Sequence, residues 1–412
     1  MLIGRKNLSE GERMPETNHI LVAGGGIAGL SVALACAKHG YDITLVEQAS
    51  EPGEVGAGLQ IAANGTKVLH ALGLGDALDT IGFRPRAATM RLGSSGRTVF
   101  SNPLGDVATA RYGAPYYHVH RADLHRILHQ AALQQPNIKL RYGTRVECST
   151  DDGTHVHLHL DEGAVLAGNA LIGADGIHSR VRESLFGEEE ARFTGNVAWR
   201  LLVPTHELPK DLIPPEATVW TGPGGHVVTY YVRGGALVNF VGVVERDDWQ
   251  VESWLETGDI AEMKNDFAPW CETIQLLLGA AKQETCFKWA LFDRDPLPQW
   301  SRGRVTLAGD ACHPMLPFMA QGACMALEDA WVLARSLKEG ETIAAGFQTY
   351  EHKRKRRTAR VQRTARANAK RFHQGRLPGQ LLNYGPLWLA GSTRPSLLNL
   401  PFDWIYGEDV TR

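Results

Sequence analysis

Three glycines in the pattern Gly24-x-Gly26-x-x-Gly29 end the apolar run His19 to Ala23 and open an alanine-rich stretch, Ile27 to His39, that Gly40 stops. Lacking side chains, they permit a tight turn and bring a pyrophosphate against a helix N-terminus, where free N–H groups and the helix dipole favour negative charge. Glu47 ends the next run, Tyr41 to Glu47, where a carboxylate accepts hydrogen bonds from ribose hydroxyls. The spacing describes a dinucleotide site without separating a flavin from a nicotinamide dinucleotide. Two more segments end strand-like runs: Gly173-Ala174-Asp175-Gly176-Ile177-His178-Ser179-Arg180-Val181-Arg182 and Gly309-Asp310-Ala311-Cys312-His313-Pro314. Taken singly, Asp175 and Asp310 are turn or helix-cap aspartates, since Asp commonly satisfies backbone N–H groups in such places.

On His226-Val227-Val228-Thr229-Tyr230 a period of two puts His226 and Tyr230 on one face, so both can reach one ligand. The competing reading is a half-exposed histidine beside a core tyrosine. His155-x-His157-x-His159 also aligns three imidazoles, but Val156, Leu158 and Leu160 make the opposite face apolar, the pattern of a half-solvated strand. No metal site is expected. The basic run from His352 to Arg371 lacks interleaved aromatics, so a solvated helix face is favoured over a nucleic-acid surface.

The elements that must position these groups follow from texture. A βαβ unit opens the chain. Between Phe193 and Trp289, short β-branched and aromatic runs (Val197 to Val203, Val227 to Val232, Leu237 to Val244) separated by Pro and Gly predict a mostly antiparallel sheet. A strand at Arg304 to Ala308 and a helix from about Gln321 to Lys338 restore α/β texture, so the nucleotide domain is discontinuous. The expected class is α/β: a Rossmann-like domain from residues 18–90, 115–190 and 290–340, a substrate domain from 91–114 and 191–289, and a C-terminal helical segment, 341–412. That segment begins with a long helix from Ile343 to about Arg371 and continues as a tail punctuated by Pro and Gly.

With 412 residues, 43% hydrophobic and 21% charged, the chain has the usage of a multi-domain globular protein. A net charge of −2 excludes a global field for nucleic acid or anionic membrane. No apolar run suits a membrane span, and the first seventeen residues lack the apolar core of a signal peptide. Six cysteines without a C-x-x-C pair argue against zinc or a disulfide scaffold, so a cytoplasmic protein is expected.

The three signatures occur in the order found in the class A flavoprotein monooxygenases, aromatic hydroxylases of the para-hydroxybenzoate hydroxylase fold, which the chain resembles from about residue 18 to 410. His120-Arg121-Ala122-Asp123-Leu124 and the ending Phe402-Asp403-Trp404-Ile405-Tyr406-Gly407 belong to the same likeness, which is nearest the salicylate hydroxylase, 3-hydroxybenzoate 6-hydroxylase and 6-hydroxynicotinate 3-monooxygenase group. The resemblance implies that Glu47 holds the adenosine ribose, the Val146 backbone touches adenine, Arg121 reaches the flavin diphosphate and Asp310 the ribityl chain. Asp175 would serve both the FAD pyrophosphate and nicotinamide docking, while Gly322 and Ala323 would present N–H groups to the flavin. Gly24, Gly26, Ala28, Gly29, Gln48, Gln60 and Pro314 complete the implied cofactor contacts. Around the substrate stand His226, as base or relay, Tyr230, as hydrogen-bond partner, and Pro314, Met315 and Arg200, the last able to bind a carboxylate and equally readable as a flavin-facing or structural arginine.

Noncovalent FAD is thus implied. Gly222-Pro223-Gly224 lacks the further glycine of a second fingerprint, so NADH or NADPH would dock transiently. Oxygen would enter through a flavin C4a-hydroperoxide, with a small aromatic acid as substrate. No nucleic-acid or membrane partner is implied, and the protein would be a monomer or homodimer. In Gly56-Ala57-Gly58-Leu59-Gln60, Gln60 stands where the hydroxynicotinate enzyme has a functional histidine, which tilts the expectation toward a benzenoid acid. Two other functions fit the same motifs: a flavin oxidoreductase without oxygen insertion, and a non-catalytic FAD-binding interaction protein.

Overall fold

The structure is a computed structural model and describes residues 19–53, 57–249, 256–375, 377–393 and 395–412. The first seventeen residues and Gly56 lie outside these. Two large sheets organise the chain. The first has the order Ser301–Arg302, Val305–Leu307, Ala170–Gly173, His19–Ala23, Asp42–Val46, Ile138–Arg141, and is parallel except at its Ser301–Arg302 edge. The Rossmann-like unit is therefore closed by strands from far along the sequence, as the α/β texture near residue 305 predicts.

The helix Ile27–Lys38 is buried almost all round, packed between this sheet and the helix Gly322–Glu339. Small side chains permit that close packing, which explains its alanine content. At the turn before it Gly24 has φ +103°, and a Cβ there would lie 2.4 Å from the Ala174 carbonyl oxygen. A Cβ on Gly29 would fall 1.9 Å from the Gly24 oxygen. Both contacts are with backbone, so only glycine fits.

The second sheet runs Phe287–Asp293, Arg192–Pro204, Leu237–Glu245, Gly225–Val232, Ala217–Gly222, Ala87–Leu92, Thr98–Pro103. All its pairs are antiparallel except Ala217–Gly222 with Ala87–Leu92. Its two faces differ as the period of two demands. Outward, Trp199, Trp220, Val227 and Phe240 pack with Phe267, Ile274 and Leu277 from the helical region 260–279. Inward, His226, Val228, Tyr230, Val241, Val243 and Trp289 face a cavity. Residues 104–114, after the last strand of this sheet, put Leu104, Ala108, Tyr112 and Ala114 into the core of the first unit.

The long helix extends from Ile343 to Phe372, and the punctuated tail beyond it is itself helical over Leu377–Thr393, with Pro386 inside, and over Leu400–Tyr406. The basic face of the long helix is not simply solvated. Arg354 is buried against Glu328 and Asp329, Arg357 binds Glu328, and Arg366 binds Asp293 and Asp295. Arg360 lies 3.7 Å from the centroid of the Trp404 ring. Much of the stripe thus clamps the long helix onto both units. Among the described residues no helix is long and apolar enough to cross a membrane.

Candidate active site

One cavity of about 1360 Å³ runs from the glycine turn to the inner face of the second sheet. It exceeds the roughly 300–1,000 Å³ typical of a drug-sized ligand, as a dinucleotide with a second ring beside it requires. Gly24, Gly26, Ala28, Glu47, Gln48, Arg121, Val146 and Asp175 line one part. Gln60, Asp310, Pro314, Met315, Gly322 and Ala323 line the cavity too, as do His226 and Tyr230 from the second sheet. Gly29 does not reach the wall: it sits behind the turn and lets the helix approach the strand.

Local contacts fit this wall to a dinucleotide. Glu47 Oε2 accepts from Gly25 N at 2.7 Å and Oε1 from Ala49 N at 2.8 Å, which fixes the carboxylate while leaving lone pairs on both oxygens. Asp175 realises half of the capping alternative: Oδ2 accepts from the N–H groups of Arg180 and Val181 at 2.8 and 3.2 Å. Its Oδ1 is buried without a partner, and burial raises its carboxyl above the ordinary range. Asp310 accepts no hydrogen bond from the described residues and opens onto the cavity. Its depth raises its carboxyl, opposed by His313 and Arg121. A ligand rich in hydroxyls would satisfy the open Asp310 carboxylate, and the start of the helix Gly322–Glu339 brings N–H groups to the same cavity. The chain therefore holds the acceptors, the cradle and the dipole that FAD needs.

Several positioning residues carried no motif. His125 Nε2 lies 2.8 Å from the Gly25 carbonyl, inside the core, and supports the glycine turn. Arg182 donates to Ile177 O at 2.7 Å and Ala311 O at 3.0 Å, tying the two aspartate motifs together. Tyr116 donates to Gln60 Oε1 at 2.7 Å, and Asn239 Oδ1 accepts from Gly58 N at 2.9 Å, joining the two units at the cavity. Arg182 falls within the Gly173 to Arg182 signature, but no periodicity marks the others.

Toward the substrate face, His226 is 1% exposed and Tyr230 is 4% exposed. A Cβ on Gly58 would fall 2.4 Å from the Tyr230 ring, so the smallest residue is needed there. Burial raises the Tyr230 phenol, opposed by Arg200, and the phenol stays protonated at neutral pH. Burial holds the His226 imidazole well below its usual range, and the adjacent His373 adds to the shift. A neutral histidine therefore faces the cavity.

Arg200 lies between its carboxylate-binding and structural alternatives. It does not line the cavity; its guanidinium lies over the rings of Phe287 and Trp289 at 4.9 and 5.3 Å. Burial and then Arg121 push its pKa down to about 10. The alternation that placed His226 and Tyr230 inward could not say which neighbours flank a residue on another strand.

The fold, the paired aspartate motifs and the open acid at Asp310 define a flavoprotein. The chain belongs to the FAD binding domain family, whose pattern matches residues 17–365, and within it to the class A flavoprotein hydroxylases, FAD-dependent aromatic monooxygenases. It is 38% identical over 393 residues to 3-amino-4-hydroxybenzoate 2-monooxygenase PtmB3 of Streptomyces platensis, covering 95% of this chain and 96% of that one. With 6-hydroxynicotinate 3-monooxygenase of Pseudomonas fluorescens it shares 36% identity over 402 residues, covering 96% of each. Among solved structures, Klebsiella pneumoniae HpxO complexed with FAD and uric acid superposes with a TM-score of 0.82 at 29% identity, covering 92% of this chain and 95% of that one.

Proposed function

We propose that this monooxygenase hydroxylates a single-ring benzenoid acid that carries a ring hydroxyl, with His226 as base and Tyr230 as hydrogen-bond partner of that hydroxyl. The carrying observation is the shared cavity: His226 and Tyr230 line the same volume as the Pro314–Met315 turn and Asp310, and the His226 ring lies 4.9 Å from that of Phe318 just beyond that turn. Support comes from the two relatives above, each named for a hydroxylated six-membered aromatic acid.

FAD, when bound, would supply the redox chemistry with NADH or NADPH and O2, while the residues of the chain would bind, orient and exclude water. Val228, Val241, Val243, Trp289 and Phe318 make the ring-binding wall apolar, which limits water that would divert the oxygen. Neutral His226 takes the proton from the ring hydroxyl, leaving an electron-rich phenolate for oxygen attack. Glu47, Asp175 and Asp310 would hold hydroxyls or water-bridged phosphates of the cofactor, Arg121 would neutralise its diphosphate, and the N–H groups at Gly322 and Ala323 would favour negative charge at the ring end. Val146, Gln48 and Gln60 border the same volume.

Asp310→Ala is expected to weaken FAD binding roughly 10- to 100-fold, because it deletes hydrogen bonds to a charged acceptor worth about 1.5–3 kcal/mol. Flavin fluorescence titration of the apoprotein reads this; unchanged affinity removes Asp310 from the cofactor contacts. For the substrate, hydroxybenzoates, 3-amino-4-hydroxybenzoate, salicylate and hydroxypyridine carboxylates should be compared for stimulated NAD(P)H oxidation, with products identified by mass. At least one benzenoid acid is expected to gain one oxygen atom, and coupling confined to the pyridine acids would contradict the benzenoid assignment. All six cysteines are free, which supports a reducing compartment, the cytoplasm, and a monomer or homodimer suffices for the chemistry because every proposed residue comes from one chain.

A further inference from the structure

His226 is the inner end of a hydrogen-bonded chain that reaches the surface. Its Nδ1 lies 2.8 Å from Nε2 of His373, and Nδ1 of His373 lies 2.7 Å from Oε1 of Glu245. The three come from separate places: the strand Gly225–Val232, the residue after the long helix, and the end of the strand Leu237–Glu245. Both imidazoles are buried, whereas the Glu245 side chain is 55% exposed. Such a chain leads from the cavity wall to solvent.

The carboxylate end decides every proton in it. An ionised Glu245 only accepts, so His373 carries its hydrogen on Nδ1. A neutral His373 then offers a bare Nε2, and that nitrogen accepts from Nδ1–H of His226. His226 is left with a lone pair on Nε2, which no described protein group engages. Phe318 and Phe372 pack on the His226 ring at centroid distances of 4.9 and 5.1 Å, holding its orientation. The flanking strands bring Thr221 and Val243 opposite His226. The helices packed here add the titratable groups Arg371, at the cavity, and Tyr384, which donates to the Arg371 carbonyl at 2.7 Å. Burial keeps His373 below its usual range, and Glu245 opposes that shift.

We propose that His373 and Glu245 are positioning residues of the hydroxylation, which lock His226 in the tautomer with a basic Nε2 and draw the proton's charge toward the surface. This rests on the reading of His226 as the base. In the step, the ring O–H bond breaks with its electron pair left on oxygen, and N–H forms at His226 Nε2. The Nδ1 proton of the resulting imidazolium moves along its hydrogen bond to His373 Nε2, so the positive charge comes to rest beside Glu245. No electron changes hands.

The test uses FAD-loaded wild type, Glu245→Gln and His373→Gln, each with bound 3-hydroxybenzoate and with 3-amino-4-hydroxybenzoate. Phenolate absorbance of the bound ring is followed against pH, alongside kcat and KM for hydroxylation. Glu245→Gln removes the carboxylate charge and His373→Gln the imidazole that links it to His226, so His226 loses its support for a positive charge and ionisation of the bound ring should move up by at least about one pH unit in both variants. One unit corresponds to roughly a tenfold loss of kcat at neutral pH. The loss should be recovered as pH rises, with little change in KM, and Glu245→Asp should restore part of it. Wild-type ionisation points in both variants, or a loss equal at every pH, overturns the proposal alone. A wild type whose bound ring stays protonated throughout overturns the base reading and the proposal together. Glu245 is on the surface, so Glu245→Gln keeps the test decisive if His373→Gln fails to fold.

Discussion

His226→Asn is expected to lower the hydroxylation rate constant roughly 10²–10⁴-fold at neutral pH, the range that a positioned general base contributes. Asparagine fills similar space beside Phe318 and Phe372 and can still donate to His373, so the wall should persist. What it lacks is a basic lone pair. The ring hydroxyl then stays protonated until the pH approaches its own ionisation, and the rate should climb with pH toward that point. In the wild type the acid limb keeps the direction of an exposed histidine base but is displaced to lower pH. Burial favours the neutral imidazole, so the competent base is present across neutral pH and is lost only as pH falls through its depressed value. The acid limb of the wild-type profile should therefore lie below the ordinary histidine value of about 6.5. Stopped-flow hydroxylation across pH, with hydrogen peroxide counted as uncoupled product, reads both effects. An unchanged rate and profile in the variant removes His226 from the chemistry.

Arg354→Met is expected to destabilise the protein by about 3–5 kcal/mol, the usual result of removing one member of a buried charge network. Arg354 donates from Nε to Asp329 Oδ1 at 2.7 Å and from Nη1 to Glu328, and all three side chains are at most 2% exposed. Burial alone would raise both carboxyls, yet for Asp329 the neighbours His313 and Arg354, and for Glu328 the neighbours Arg354 and Arg357, hold them below their usual values. Methionine keeps the volume and deletes the charge. Arg357, which binds Glu328 at 2.8 Å, and His313, which binds Asp329, would then face two close carboxylates alone. Asp329 also accepts from Gly309 N at 3.1 Å, so the loosened network reaches the turn that presents Asp310. Urea unfolding of the FAD-loaded protein measures the change, and FAD should leave at lower denaturant than in the wild type. A loss under about 1 kcal/mol would mean that the network contributes like a surface ion pair.

The parts of the site legible in the sequence are those that one segment specifies. Gly24, Gly26 and Gly29 report backbone approaches of a few residues' span, and Gly24 does turn with positive φ against Ala174. His226 and Tyr230 share a face because a strand alternates, and both do line the cavity. The discontinuous nucleotide domain was readable because the strand before Gly309 repeats the apolar texture of the first βαβ unit, and it pairs in parallel with Ala170–Gly173.

Where the reading stopped, the missing quantity was a contact between distant segments. Arg200 shares the alternation of its strand, yet its surroundings are set by Phe287 and Trp289 from a strand that follows much later. The basic run was legible as charge, but Glu328 and Asp329, which bury its centre, lie on another helix. His373 resembles any polar residue after a helix. It becomes part of the site only because the long helix ends against Glu245 and His226.

By itself the sequence determined the nucleotide-binding architecture, the flavoprotein motifs and the inward face of the strand that carries His226 and Tyr230, because turns, helix starts and strand alternation depend on neighbours in the chain. Only the tertiary structure decided which nitrogen of His226 pairs with His373, which acids keep an unpaired oxygen, and which arginines are consumed in clamping the long helix. Those properties arise from burial and from hydrogen bonds across large separations in sequence, such as the 147 residues between His226 and His373, and spacing along the chain does not encode them.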